Sequence, residues 1–286
     1  MNPAGRGWLL PLLVLLAACA PEPDAAPDTA PASRIVALAP HLAELVYAAG
    51  AGDMLVGVSA YTDYPAEARE LPVVSDAFTV DQERLRLLSP DLVLAWDSGM
   101  PAHTIEGLKQ SGFRIVTLRT RSLADITESL ETIGRLTGRT AEARAEAERF
   151  RNAIAGIRAQ YASATPVRVF FQVSARPLYT INGEHFISEL IEACGAVNVF
   201  AGLGELAPAI DVEAVLAADP EAIITGSGPN QLETWRRFST LSATRAGNLL
   251  TIDAPHLSRA STRLDDAART LCAVIETARR DLVFAD

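Results

Sequence analysis

The sequence predicts an α/β protein of two lobes with mainly parallel sheets, joined by one long α-helix. Three observations carry that prediction. Residues 80–95 (VDQERLRLLSPDLVLA) and 210–225 (IDVEAVLAADPEAIIT) follow one template, in which Asp81, Glu83 and Pro90 recur as Asp211, Glu213 and Pro220. Upstream of each copy, Ala43-Glu44-Leu45 leads to Gly50-Ala51 and Ser188-Glu189-Leu190 leads to Gly195-Ala196. The order is the same in both halves, as expected of two related units. Short apolar runs also alternate with helical patterns, which is the sequence form of βα units and a parallel sheet. Between the halves, residues 140–162 are rich in Ala, Glu and Arg and contain no proline.

Taken in order, residues 34–39 form a short apolar run ending at Pro40 and are read as a buried strand, followed by a helix over 42–49 closed by Gly50. Residues 54–59, 91–96 and 114–118 are three more strands. Ser122 opens a helix with apolar residues at Leu123, Ile126, Leu130 and Ile133, ended by Gly138. In the central segment Phe150, Ile154, Ile157 and Tyr161 are spaced by helical turns and make one stripe. At 1.5 Å per residue that helix is about 34 Å long, enough to span a domain as a stiff bridge. The second half restarts with a strand at 167–173, a helix at 187–193, strands at 222–225 and 248–252, and a closing helix at 264–280. The resulting division is an N-terminal Rossmann-like lobe over 33–138, a bridging helix over 139–163 and a C-terminal Rossmann-like lobe over 164–286.

The first 18 residues carry one positive side chain, Arg6, and an apolar run from Trp8 to Ala18. That run suits a signal-peptide core and is too short to span a bilayer. It ends in Leu16-Ala17-Ala18-Cys19, which resembles a bacterial lipobox, so cleavage before Cys19 and acylation of its sulfur are expected. Residues 20–32 hold four prolines and no large apolar side chain, and segment 19–32 is read as a lipid-anchored disordered tether. The expected location is the cell envelope, on the periplasmic face, anchored through Cys19. Cys194 and Cys272 are then an even pair in an oxidising compartment, either a disulfide or two buried free thiols.

A formal charge of −10 argues against a nucleic-acid partner. No Gly-rich phosphate loop, G-x-S-x-G elbow, H-E-x-x-H or C-x-x-C is present, which weakens an enzymatic reading. Asp81 and Asp211 stand where helices should start and are read as N-caps. Capping does not explain why a glutamate recurs two residues later. In a parallel α/β lobe, helix N-termini share an end with strand C-termini, where ligands bind. Glu83 and Glu213 are therefore expected to flank a cleft, one per lobe, free to pair with arginines on a two-fold symmetric partner. The cleft wall is expected from residues that follow strands: His41, Tyr61, Tyr64, Phe78, Trp96, Asp97, His103, Tyr179, His185, His256 and Arg259. With only 17 aromatic residues in the chain, their gathering at strand ends points to a bulky, partly apolar ligand held by ring faces. The four histidines fall in predicted loops and, if they converge, supply neutral imidazoles for a metal or a haem iron.

The phrases RIVALAP (34–40), ELVYAAGA (44–51), VGVSAYTDYPAEA (56–68), QERLRLLSPDLVLAW (82–96) and RASTR (259–263) resemble the ABC-transporter substrate-binding proteins whose two lobes are joined by one rigid helix. That family takes up cobalamin, ferric siderophores, haem or metal ions, and the chain is most similar to its cobalamin-receiving branch. The resemblance runs from about Arg34 to Arg280. It implies a monomeric receptor with no catalysis, no resident cofactor or metal, and a corrinoid ligand. It implies docking of Glu83 and Glu213 on a permease dimer in the cytoplasmic membrane, contact of Tyr61 and Trp96 with the corrin, closure by Arg259, and a Cys194–Cys272 disulfide. Phe78, His41, Tyr179 and His256 complete the expected ligand set. The further tryptophans expected along such a cleft are replaced here near Ala77-Phe78, Ala207-Pro208 and Pro255-His256-Leu257. A siderophore, haem or metal receptor of the same family, or a metal-handling enzyme of related fold, are the alternatives.

Overall fold

In the computed structural model, which describes residues 30–97 and 99–285, the chain winds two sheets on the same plan. The first lobe contains β1 (Ile35–Ala37), α1 (Pro40–Ala48), β2 (Leu55–Ser59), β3 (Val73–Ser75), α2 (Gln82–Leu88), β4 (Leu92–Trp96), α3 (Ala102–Gln110), β5 (Ile115–Leu118) and α4 (Leu123–Thr137). Its sheet has the order β3-β2-β1-β4-β5, all parallel. The 22-residue helix α5 (Thr140–Tyr161) follows. The second lobe contains β6 (Val167–Gln172), a small hairpin β7 (Ser174–Ala175) and β8 (Leu178–Tyr179), α6 (Phe186–Ala193), β9 (Ala196–Asn198), α7 (Val212–Ala218), β10 (Ala222–Thr225), α8 (Ser242–Arg245), β11 (Leu249–Thr251) and α9 (Leu264–Ala285). Its sheet runs β9-β6-β10-β11. This is the first lobe's order without the outer strand β3. Among the described residues no helix is long and apolar enough to cross a membrane; Cys19 and the proposed signal peptide lie outside them.

The duplicated template becomes duplicated structure. Asp81 Oδ1 accepts from the Arg84 amide at 2.9 Å and Asp211 Oδ1 from the Ala214 amide at 2.7 Å, satisfying one open donor at each helix start. Both helices end on a left-handed residue, Ser89 and Asp219, and each is followed by its proline.

Strand residues alternate between two cores, as the two-residue period of a strand requires. Ile35, Leu92 and Leu94 face inward, with Val167, Val169 and Ile224 of the second lobe, into one continuous apolar core. Val36, Val93 and Ala95 face α2 and α3, and Phe170 and Ile223 face the outer layer around Val215 and Trp235. The inner core passes from lobe to lobe through Phe150, Ile154 and Ile157 of α5. Sequence reading missed β3 and β9, of three residues each, the β7–β8 hairpin, and helices α3 and α8. Two expected loops are also corrected. His103 lies on α3 and His41 in the first turn of α1, because Pro40 occupies the first helical position, where its fixed φ suits the helix.

Candidate ligand site between the lobes

Each sheet reverses its strand order once, between β1 and β4 in the first lobe and between β6 and β10 in the second. Such a switch point leaves a crevice beyond the strand C-termini, since the connections on either side diverge. A cavity of ≈ 430 Å³ lies at both switch points together. His41 and Trp96 line it from the first lobe, and Gln172, Val173, Gly226 and Ser227 from the second. Phe186, Leu206 and Leu257 make much of the remaining wall apolar. Trp96 also lines an adjoining pocket of ≈ 230 Å³ with Tyr61, Phe78 and Met100.

Two aromatic side chains stand free at this pocket. Tyr61 is 82% exposed and Phe78 90% exposed. The Phe78 loop is held by the Asp76 carboxylate, which accepts from the Phe78 and Thr79 amides at 2.8 and 2.7 Å; these bonds keep Asp76 below its ordinary pKa. Tyr61 is held in a left-handed conformation with φ 64°, a state that costs a β-carbon residue about 1 kcal/mol or more. Its carbonyl accepts from Arg259 Nη2 at 3.0 Å, across from the second lobe.

Inside the cavity the His41 ring meets Trp96 edge-on, with centroids 4.9 Å apart, and its Nε2 lies 3.5 Å from the Thr120 hydroxyl. Burial and, next, the nearby Arg259 charge push the His41 pKa down to about 3. His185 caps α6 through Nδ1, which accepts from the Ile187 amide at 3.1 Å, and burial lowers it to about 4. Both imidazoles are neutral at neutral pH. Among the described residues Arg121 is the one charged side chain in the wall of this cavity.

Other expected wall residues lie elsewhere. Tyr179 sits in the β7–β8 hairpin and does not line the cavity. His256 sits in a 3₁₀ turn, with Nε2 3.3 Å from Asp266. Tyr64 lies under the Arg263 guanidinium, 3.9 Å from its ring centroid, beside a separate polar depression. His103 is exposed on α3. Among the described residues no group of three or more His, Cys, Asp or Glu is placed to hold a metal.

Arg259 serves mainly to join the lobes. Its Nη1 is 3.2 Å from Glu44 Oε1 and 2.8 Å from Asp63 Oδ1. Glu44, only 3% exposed, also accepts from the Ser261 hydroxyl at 2.6 Å and from Arg263 at 3.3 Å. The counterpart of Glu44 on α6, Glu189, reaches the other way: its Oε1 accepts from the Leu123 amide at the start of α4, at 3.0 Å. Each lobe thus sends the same carboxylate to the start of the other lobe's last helix. Sequence reading missed this role, although both glutamates stood in the duplicated phrases. Cys194 and Cys272 are bonded, tying the end of α6 to α9.

Glu83 and Glu213 are exposed in the first turns of α2 and α7, and neither has a side-chain partner among the described residues. The approach to each helix is tied to a strand: the Asp81 amide donates to the Val74 carbonyl of β3, and the Ile210 amide to the Leu178 carbonyl of the β7–β8 hairpin.

Comparison with known proteins agrees with this geometry. Residues 35–255 match the sequence profile described as "Periplasmic binding protein". A protein of Vibrio cholerae serotype O1 named vitamin B12-binding protein is 36% identical over 252 residues, covering 87% of this chain and 91% of its own. The crystal structure of the periplasmic vitamin B12-binding protein of Vibrio cholerae superposes with a TM-score of 0.79 at 36% identity, covering 87% of this chain and 98% of that one. A periplasmic haem-binding protein from Pseudomonas aeruginosa shares the fold, with a TM-score of 0.72 at 24% identity, over 85% of this chain and 92% of that one.

Proposed function

The chain belongs to the periplasmic binding protein family, and we propose that it is a lipid-anchored receptor for cobalamin or a related corrinoid, delivering its cargo to the permease dimer of an ABC importer. Membership makes it a binding protein rather than an enzyme, and makes its ligand a cargo rather than a cofactor. The observation that carries the reading is the apolar cavity at both switch points, with Trp96 in its wall and exposed Tyr61 and Phe78 beside it. Flat, partly apolar rings with polar edges suit such a wall. A corrinoid is larger than the cavity, so its outer rim projects past Tyr61 and Phe78 toward solvent.

In this reading Tyr61, Phe78, Trp96 and His41 touch the macrocycle, and Arg259 acts from the rim by fixing Tyr61. Glu83 and Glu213 are the docking contacts, received by arginines on two equivalent permease subunits. Residues 1–18 direct export, Cys19 carries the lipid, and the following tether lets the receptor reach the importer from the periplasmic face. The receptor acts as a monomer, since its two lobes already supply the paired surface.

Calorimetric titration of the purified chain with cobalamin, cobinamide, haem and a ferric siderophore, side by side, tests the ligand. Tight binding of cobalamin is expected. Heat released with haem alone refutes the corrinoid assignment, moves the protein to the haem receptors and makes the neutral His41 the candidate axial ligand.

A further inference from the structure

Arg121 follows β5 and lies at the seam between the lobes, where its carbonyl accepts from the Phe186 amide at 2.6 Å. Its guanidinium has one partner among the described residues, Asp97, reached by Nη2 at 3.0 Å. The Nε hydrogen is buried with no acceptor, and the side chain as a whole is 43% exposed. Among the described residues this planar fork is thus paired with one carboxylate, Asp97, whose Oδ1 is likewise buried without a partner, and it lies on the wall of a cavity whose other described side chains are uncharged.

Charge decides what that fork is for. The chain carries a formal −10, and both cavity histidines are neutral, so Arg121 is the cation an anionic part of a ligand would meet. Resting on the corrinoid reading above, we propose that Arg121 is the specificity-determining contact for the phosphodiester of the nucleotide loop that distinguishes cobalamin from cobinamide. The rest of the corrinoid rim carries neutral carboxamides, which water, Thr120 or main-chain groups satisfy. A phosphodiester brought against an apolar wall is costly unless a charged donor pairs with it, and arginine matches its two oxygens with two parallel donors. Asp97 is the positioning residue: it holds Nη2 and leaves the other edge of the fork to the ligand. The proposal also orients the guest, with its nucleotide loop at the β5 end of the first lobe.

The test is titration of the purified chain and of its Arg121→Gln and Arg121→Lys variants with cobalamin and with cobinamide, followed by tryptophan fluorescence. A lost hydrogen bond to a charged group corresponds to about a 10- to 100-fold loss of affinity. Arg121→Gln should lose that factor for cobalamin and change by less than about threefold for cobinamide, whose retained binding shows that the variant is folded. Arg121→Lys should recover part of the cobalamin affinity. Equal losses for both ligands, or unchanged cobalamin affinity, overturn the proposal. If the unaltered chain binds neither corrinoid, the receptor reading fails first and takes this assignment with it.

Discussion

Glu44→Ala is the perturbation that asks most of the structure. The carboxylate is buried in the first lobe and accepts from Arg259, Ser261 and Arg263 of the second, at 3.2, 2.6 and 3.3 Å. Truncation removes that carboxylate from two guanidinium groups, 18% and 30% exposed, of which Arg259 keeps Asp63. Removing one partner of a buried ion pair costs about 3–5 kcal/mol. For a protein of this size each kcal/mol moves the melting temperature by about 2–4 °C, so a drop of roughly 6–20 °C is expected. Glu44→Gln keeps an acceptor for Ser261 and should cost about 1–3 kcal/mol. Urea unfolding followed by tryptophan fluorescence measures both, since Trp96 reports the first lobe and Trp235 the second. The expected signature is a lowered midpoint together with weakened ligand binding, because Tyr61 loses the arginine geometry that holds its carbonyl. A Glu44→Ala midpoint within about 1 kcal/mol of wild type would show that the brace does not join the lobes energetically.

Two further outcomes are expected. His41 and His185 have folded-state pKa values of about 3 and 4, below the ordinary 6.5, so below pH 6.5 the unfolded chain binds protons that the folded one refuses. Stability is therefore full above pH 6.5 and falls as the pH drops toward 4, by up to about 1.4 kcal/mol per pH unit for each histidine; urea midpoints from pH 7 to pH 4.5 should show this slope, and His41→Gln should reduce it. Glu83→Ala combined with Glu213→Ala should leave ligand affinity intact and abolish stimulation of the importer's ATPase in liposomes; full stimulation by the double variant would leave the two glutamates as helix-start residues only.

Much of the architecture was legible because its signals are local. Ser122 and Gly138 bracket α4 as an N-cap with its reciprocal Asp125 bond and a left-handed C-cap, and the stripe Phe150, Ile154 and Ile157 is buried as its spacing requires. β3 and β9 are three-residue edge strands that each expose a valine, so they lack the wholly buried apolar run that marked β1. Helix α3 buries only Ile105 and Leu108, too few to announce a face. The candidate site was legible at Trp96, the last residue of β4, and at His41, in the first turn of α1. It was misjudged where a side chain's direction depends on a distant partner. Arg263 stacks over Tyr64 and draws it away from the cleft, and Arg259 spends its guanidinium on the opposite lobe. Arg121 gave no signal of its own, because only the folded seam shows how few acceptors surround it.

The crossed carboxylates have a consequence for how the molecule can move. Neither half is complete alone: cut at the bridging helix, each would keep an acid whose donors had left with the other piece. A wide swing apart would break both contacts at once. On the receptor reading, a guest would then enter with the two halves keeping a nearly constant angle, past the exposed Tyr61 and Phe78.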